Sequence, residues 1–278
     1  MEMLRFRPRR KTMMSAEESL RDGDLEQALA QLQDRVRKNP GDAKPRIFLF
    51  QLLSVLGQWE RALTQLNVAG ELDAGALAMV QTYREALNCE VLRSEIFAGR
   101  RSPLIFGDPE EWIALMLEAL RATAEGQHER AQEARDKAFE TAPTTSGTLD
   151  GQPFEWIADA DPRLGPLLEA IVNGRYYWVP FHRLQAIHID EPADLRDQVW
   201  LPATLTFANG GEAVALIPTR YPGSEVSAEP GIRLARLTDW QELAPGAYSG
   251  LGQRMFATDQ GEYPLMDVRE VILNTGDG

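Results

Sequence analysis

Gly23-Asp-Leu-Glu-Gln-Ala28-Leu29 returns 34 residues later as Gly57-Gln-Trp-Glu-Arg-Ala62-Leu63, and Leu32 maps onto Leu66 by the same shift. A weaker copy, Gly126-Gln-His-Glu-Arg-Ala131, lies 69 residues beyond the second, close to two periods. It carries Gln132 and Arg135 where the other copies have leucine, while Pro40 and Pro143 each fall 17 residues after their glycine. A 34-residue period with small residues at the helix crossing is the mark of tetratricopeptide (TPR)-like helical hairpins. Each glycine belongs in the turn between two helices, where a positive φ ends the first. Each alanine lets the second helix approach closely.

Outward from the repeats, Trp112, Leu115, Met116 and Leu120 share one helical face. Residues 76–97, with Leu77, Val80, Tyr83, Leu87 and Val91, supply the helix of a non-standard middle unit. Ser15 and Glu18 form a capping box, in which each side chain satisfies a backbone amide, so order is expected to begin there. Residues 15–143 therefore read as a TPR-like α-helical superhelix of about three hairpins. Residues 1–14 read as a disordered basic leader, and residues 144–150 (beginning Thr144-Thr-Ser-Gly-Thr148) as a linker.

Residues 151–278 read as an α+β domain with a mixed or antiparallel sheet. Asp161-Pro162 looks like a helix start and Asn173-Gly174 like a stop, with Leu164, Leu167, Leu168, Ile171 and Val172 as an apolar stripe between them. That predicts a short amphipathic helix. Leu201, Ala203, Leu205 and Phe207 alternate with threonines, then Asn209-Gly210-Gly211 leads into an apolar run over 213–217, which predicts a hairpin. Further strands are expected at 176–179, 187–189, 234–238, 254–258 and 268–273.

The 278 residues carry 44% apolar and 26% charged residues, an ordinary globular balance. Net charge is −13. Residues 1–13 hold five bases (Arg5, Arg7, Arg9, Arg10 and Lys11) against Glu2; taking these from totals of 29 and 42 leaves 24 bases and 41 acids, a net −17. A body of that sign argues against nucleic acid as the main ligand. No apolar run approaches the roughly 18 residues of a membrane span, and the leader has no apolar stretch behind it to make a secretory signal. The single cysteine, Cys89, excludes an intrachain disulfide framework and a multi-cysteine metal site, and fits a cytoplasmic setting.

The aromatic run Tyr176, Tyr177, Trp178, Phe181 is the foremost site candidate, since aromatics dominate interface hot spots. Alternation along a strand nevertheless sends half of such a run into the core. Arg175, Arg183, Arg196 and Arg220 lie near Asp159, Asp161, Asp190, Glu191, Asp194 and Asp197 in sequence. They suit either an arginine clamp on a partner or internal ion pairs holding loops to the sheet, the second being favoured. His182, His188, Asp190 and Glu191 lack a metal-site spacing, so neither metal nor cofactor is expected. Cys89 reads as a buried small hydrophobe. Gly246, Gly250 and Gly252 read as turn glycines, because a phosphate loop needs a helix after it and 255–258 reads as strand. A hydrolase using Asp159, Asp161 and His182 is the alternative function, and an acidic assembly chaperone for a basic partner a third.

Asp161-Pro-Arg-Leu-Gly-Pro166, Gly174-Arg-Tyr-Tyr-Trp-Val-Pro-Phe181, and Asp194-Leu-Arg-Asp197 with Trp200 and Pro202 resemble the C-terminal domain of the TagJ/ImpE (SciE-type) family of type VI secretion accessory proteins. So do Ile217-Pro-Thr-Arg-Tyr-Pro-Gly-Ser-Glu225, Arg233-Leu-Ala-Arg-Leu-Thr-Asp-Trp240 and Gly250-Leu-Gly-Gln-Arg254. With the helical half, the resemblance covers residues 15–275. It implies a non-catalytic adaptor that binds the N-terminal helical segment of the small sheath subunit TssB and is linked to the sheath-disassembling ATPase ClpV. Residues expected to face the partner are Tyr176, Tyr177, Trp178, Phe181, Arg183, Trp200, Arg220, Tyr221 and Trp240. Homo-oligomerisation is left open.

Overall fold

The computed structural model describes residues 15–275, so the basic leader lies outside the described residues. The chain runs α1 (Ala16–Arg21), α2 (Leu25–Lys38), α3 (Ala43–Val55), α4 (Trp59–Leu72), α5 (Leu77–Phe97), β1 (Leu104–Ile105), α6 (Glu111–Ala124) and α7 (His128–Thr141). Then follow β2 (Gly147–Leu149), β3 (Gln152–Phe154), β4 (Ile157–Asp159), β5 (Leu167–Val172), β6 (Arg175–Pro180), β7 (Leu184–Ile189), β8 (Trp200–Phe207) and β9 (Glu212–Pro218). The last elements are α8 (Pro230–Arg233), β10 (Thr238–Ala244), β11 (Ala247–Gly252), β12 (Met255–Thr258), β13 (Gly261–Pro264) and β14 (Glu270–Leu273).

The repeat is realised as read. Gly23, Gly57 and Gly126 occupy the turns α1–α2, α3–α4 and α6–α7 with φ of 80°, 65° and 73°. Ala28, Ala62, Leu32 and Leu66 are wholly buried at the helix crossings, and Ala131 is nearly so. The Ser15–Glu18 capping box is present in full. Glycine is needed at Gly57 for a second reason: a Cβ there would meet Glu225 Cβ at 2.9 Å, because the sheet half presses on this turn.

The second half is built on a nine-stranded sheet in the order β1-β6-β5-β9-β8-β7-β14-β2-β3. It is mixed: β1 runs parallel to β6, and its other pairings are antiparallel. The hairpin β8–β9 matches expectation. A three-stranded sheet, β13-β12-β4, and the hairpin β10–β11 complete the fold.

Three expectations are corrected. The stripe between Asp161 and Asn173 is not a helix; Leu167–Val172 is strand β5, buried along its whole length. An apolar run of six with both faces covered carries no period, so strand and buried helix are indistinguishable by pattern. Asn173 and Gly174, with φ of 49° and 72°, turn β5 into β6, the two-residue hairpin loop that Asn-Gly favours. Nor is 144–150 a free linker, because it includes strand β2, paired with β14 and β3. Gly147 is there for close approach: a Cβ would stand 2.0 Å from the carbonyl oxygen of Ile272. The strand expected over 234–238 begins later, at Thr238, after the single turn of α8.

Two apolar clusters hold the molecule together. One lies within the sheet half, around Leu168, Val179, Ile187, Leu205, Ile217 and Phe256. The other is shared by both halves: Leu52, Leu66, Tyr83 and Leu87 from the helices pack with Leu167, Tyr176, Trp178 and Trp200 from the sheet. Trp200 lies against the rings of Trp59 and Tyr83, with centroids 6.3 and 5.7 Å away.

Candidate interaction site

Most of the residues expected to face a partner are core. Tyr176, Trp178, Phe181, Trp200 and Tyr221 are at most 1% exposed, and Arg220 is 4% exposed. This corrects their assignment, since a side chain without exposed area cannot contact a second molecule unless the fold opens. Tyr176, Trp178 and Trp200 fill the space between sheet and helices, Phe181 packs within the sheet half, and the polar atoms of the two tyrosines and two tryptophans find internal partners. Trp178 Nε1 donates to Tyr176 Oη at 2.8 Å, and Trp200 Nε1 to Glu90 Oε1 at 2.9 Å. Tyr177, Arg183 and Trp240 keep partial exposure, on three separate elements. Tyr177 meets Phe106 edge-on, and Trp240 packs on Tyr221. Arg183 donates to Phe106 O, Asp108 O and Glu110 Oε1, tying the loop before α6 to the sheet.

Arg220 and Arg196 act internally, while Arg175 is exposed. Arg220 donates to the carbonyls of Val55 and Ser54, capping the C-terminal end of α3 from the other half. Arg196 pairs with Asp194 and lies over the Tyr83 ring. Sequence reading missed the largest cluster, which joins Arg93 of α5 to Glu169 of β5 through bonds of 2.5 and 2.9 Å. Arg254 bridges Glu169 and Asp159, Arg93 also donates to Arg220 O, and Tyr176 donates to Glu169. The available signal was a lone acid inside Leu167-Leu-Glu-Ala-Ile-Val172, where only a paired charge is tolerable. Burial alone would raise the Glu169 carboxyl, but the guanidinium groups of Arg93 and Arg254 hold it down at about 2. Asp159 goes the other way: burial, only partly offset by Arg254, pushes it up to about 7.

The three groups of the hydrolase alternative are committed elsewhere. Asp159 is bound by Arg254 and Tyr221, Asp161 by Arg163 and the Gly250 amide, and His182 by Glu110 at 3.1 Å. His188 pairs with Glu270 across β7 and β14 instead of meeting His182. Among the described residues, no three of His, Cys, Asp and Glu come together as a metal site would need. The Cys89 thiol is pushed up to about 12 by burial, which leaves it protonated and unreactive.

An open face remains on α7. This helix pairs with α6 and buries Ala131, Ala134, Arg135 and Ala138. Its opposite side carries Glu129, Glu133 and Asp136, which with the 244–247 turn line an open cavity of about 890 Å³. At the C-terminal end a second cavity, of about 440 Å³, is lined by Phe139, Trp156, Pro143 and Pro162. Phe139 and Trp156 are 41% and 40% exposed, unusual for rings of that size.

Comparison with known proteins places the chain. It is 55% identical over 260 residues, 93% of this chain and 90% of the relative, to the type VI secretion system accessory component TagJ of Pseudomonas aeruginosa. The chain belongs to the TagJ/ImpE family. The ImpE protein family matches residues 151–272 of this TagJ/ImpE chain, and the tetratricopeptide repeat family matches 19–85. The crystal structure of protein VPA1032 from Vibrio parahaemolyticus superposes with a TM-score of 0.84 at 24% identity. That likeness covers 93% of this chain and 97% of that one, and it supports the fold. Among the described residues, no helix of the TagJ/ImpE chain is long and apolar enough to cross a membrane.

Proposed function

We propose that this protein is a non-catalytic, cytoplasmic adaptor of a type VI secretion system. It binds the N-terminal helical segment of the small sheath subunit TssB and so influences how the ATPase ClpV takes contracted sheath apart. The observation that carries the reading is the 55% identity, along nearly the whole of both chains, to a type VI secretion accessory component. Repeats of the tetratricopeptide kind suit such work, because stacked helices offer grooves into which an amphipathic helix lays its apolar face. The internal commitment of Asp159, Asp161 and His182 supports binding over hydrolysis.

Calorimetric titration of the full chain with a peptide from the N-terminus of the cognate small sheath subunit tests the proposal. Saturable binding at micromolar concentration is expected. Absence of heat and of any competing signal at high micromolar peptide refutes it.

A further inference from the structure

A TPR-like array ordinarily holds its ligand on the face lined by successive helices. Here the corresponding surface of α3, α4 and α5 is taken. Trp200 fills the space beside Trp59 and Tyr83, Arg220 reaches the carbonyl end of α3, and Arg93 of α5 is bound to Glu169 in the sheet. A guest helix entering there would have to displace buried ion pairs. The array is open instead at its last helix, because a stacked helix is normally covered by the next repeat and α7 has a cavity in that place.

We propose that the partner's helix docks along the outer face of α7, standing where a further repeat helix would stack. The inference rests on the adaptor reading above and gives that reading a location. The trough fixes the occupant's chemistry. Glu129, Glu133 and Asp136 recur at helical spacing along the cavity wall, and among the described residues none of them forms an ion pair. Arg130, which lines the cavity with His128, is held by Glu118 of α6 at 2.7 Å, and Arg135, beside Asp136, is buried toward α6. A row of acids outside any ion pair is matched by a helix with basic side chains on one flank. Beyond the acids, the Phe139 and Trp156 pocket takes one bulky apolar side chain, with the exposed Glu155 beside it to favour a neighbouring base. The fourteen residues of α7 span about 21 Å, so the occupant is a cationic amphipathic helix of about four turns.

The test uses the full chain and a fluorescein-labelled peptide from the N-terminus of the cognate small sheath subunit, read by anisotropy at low and moderate salt. Three variants are compared with wild type: E133K/D136K, W156A, and the remote surface change E212K, each checked for native circular dichroism. Expected results are a loss of about tenfold in affinity for E133K/D136K, shrinking as salt rises, and about thirtyfold for W156A. E212K should bind as wild type does. If wild type binds and both α7 variants bind equally well, the location is overturned while the adaptor function stands. If wild type does not bind, the adaptor reading falls and the location with it. If the α7 variants abolish self-association in sedimentation and leave peptide affinity intact, the trough belongs to a second copy of the chain, and the proposal is likewise overturned.

Discussion

Replacing Arg93 with methionine probes whether the helical and sheet halves are one thermodynamic unit. Arg93 lies in α5, is 5% exposed, and donates twice to Glu169 and once to the carbonyl of Arg220, all in the other half. Methionine keeps most of the apolar stem and removes the charge. Glu169 would then share Arg254 with Asp159 and lose its second cation. Removing one member of a buried pair costs about 3–5 kcal/mol. For a chain of this size each kcal/mol corresponds to about 2–4 °C, so Tm should fall by roughly 6–20 °C. The assay is urea unfolding followed by circular dichroism for the helices and by tryptophan fluorescence, to which the buried Trp178 and Trp200 of the interface contribute. Both probes should move together to a lower midpoint, because a single apolar cluster spans the two halves. Adding Glu169→Gln to Arg93→Met should cost less than the sum of the single changes, with a coupling of about 1–3 kcal/mol. A loss below about 1 kcal/mol, or a fluorescence transition well ahead of the helical one, would refute the idea that this cluster locks the halves together.

Other outcomes follow from the same structure. Asp159 takes up a proton in the folded chain near pH 7, whereas an unfolded aspartate does so near 3.8, so lowering pH from about 7.5 to 5.5 should raise Tm. The Asp159→Asn variant should flatten that rise. Below about pH 4.5 the trend reverses, since Glu169 stays ionised in the fold down to about 2 and an unfolded glutamate does not; a thermal melt series across pH 3–8 checks both limbs. Gly126→Ala, where φ is 73° and a Cβ meets nothing, should cost only about 1 kcal/mol in urea unfolding, whereas Gly147→Ala, which clashes with the Ile272 backbone, should cost several times more. Ser15→Ala should destabilise α1 by about 1 kcal/mol, seen as faster amide exchange at the start of that helix.

The helical half was legible because its information is local. A glycine that must take positive φ and an alanine that must vanish at a crossing leave their marks at fixed spacing, and Gly23, Gly57, Ala28 and Ala62 did so. Strand β5 was not legible, because Leu167, Leu168, Ile171 and Val172 face two different cores at once, which erases the alternation that announces a strand. The same fact hid the interface. Trp178 and Trp200 look like binding aromatics until their faces are seen to be covered by α5 and α4. Partners such as Arg93 and Glu169, 76 residues apart, are unreadable in one sequence, since nothing nearby signals which distant charge will neutralise them. The α7 face was missed for the opposite reason. Gln132 reads as decay of a repeat, but it lies on the exposed side of α7, where a terminal helix has no following repeat to bury a leucine against; Arg135, by contrast, is buried toward α6.

The cap that Arg220 places on α3 has a bearing on how the chain is made. During synthesis the ribosome releases α1–α7 roughly ten to twenty seconds before the strands that cover them are finished. Over that interval Ser54 and Val55 must satisfy their carbonyls with water, and the rings of Trp59 and Tyr83 stand bare. The nascent helical hairpins are thus adhesive until the last third of the protein arrives, and crowded translation should select for a holding chaperone or for slow, dilute expression.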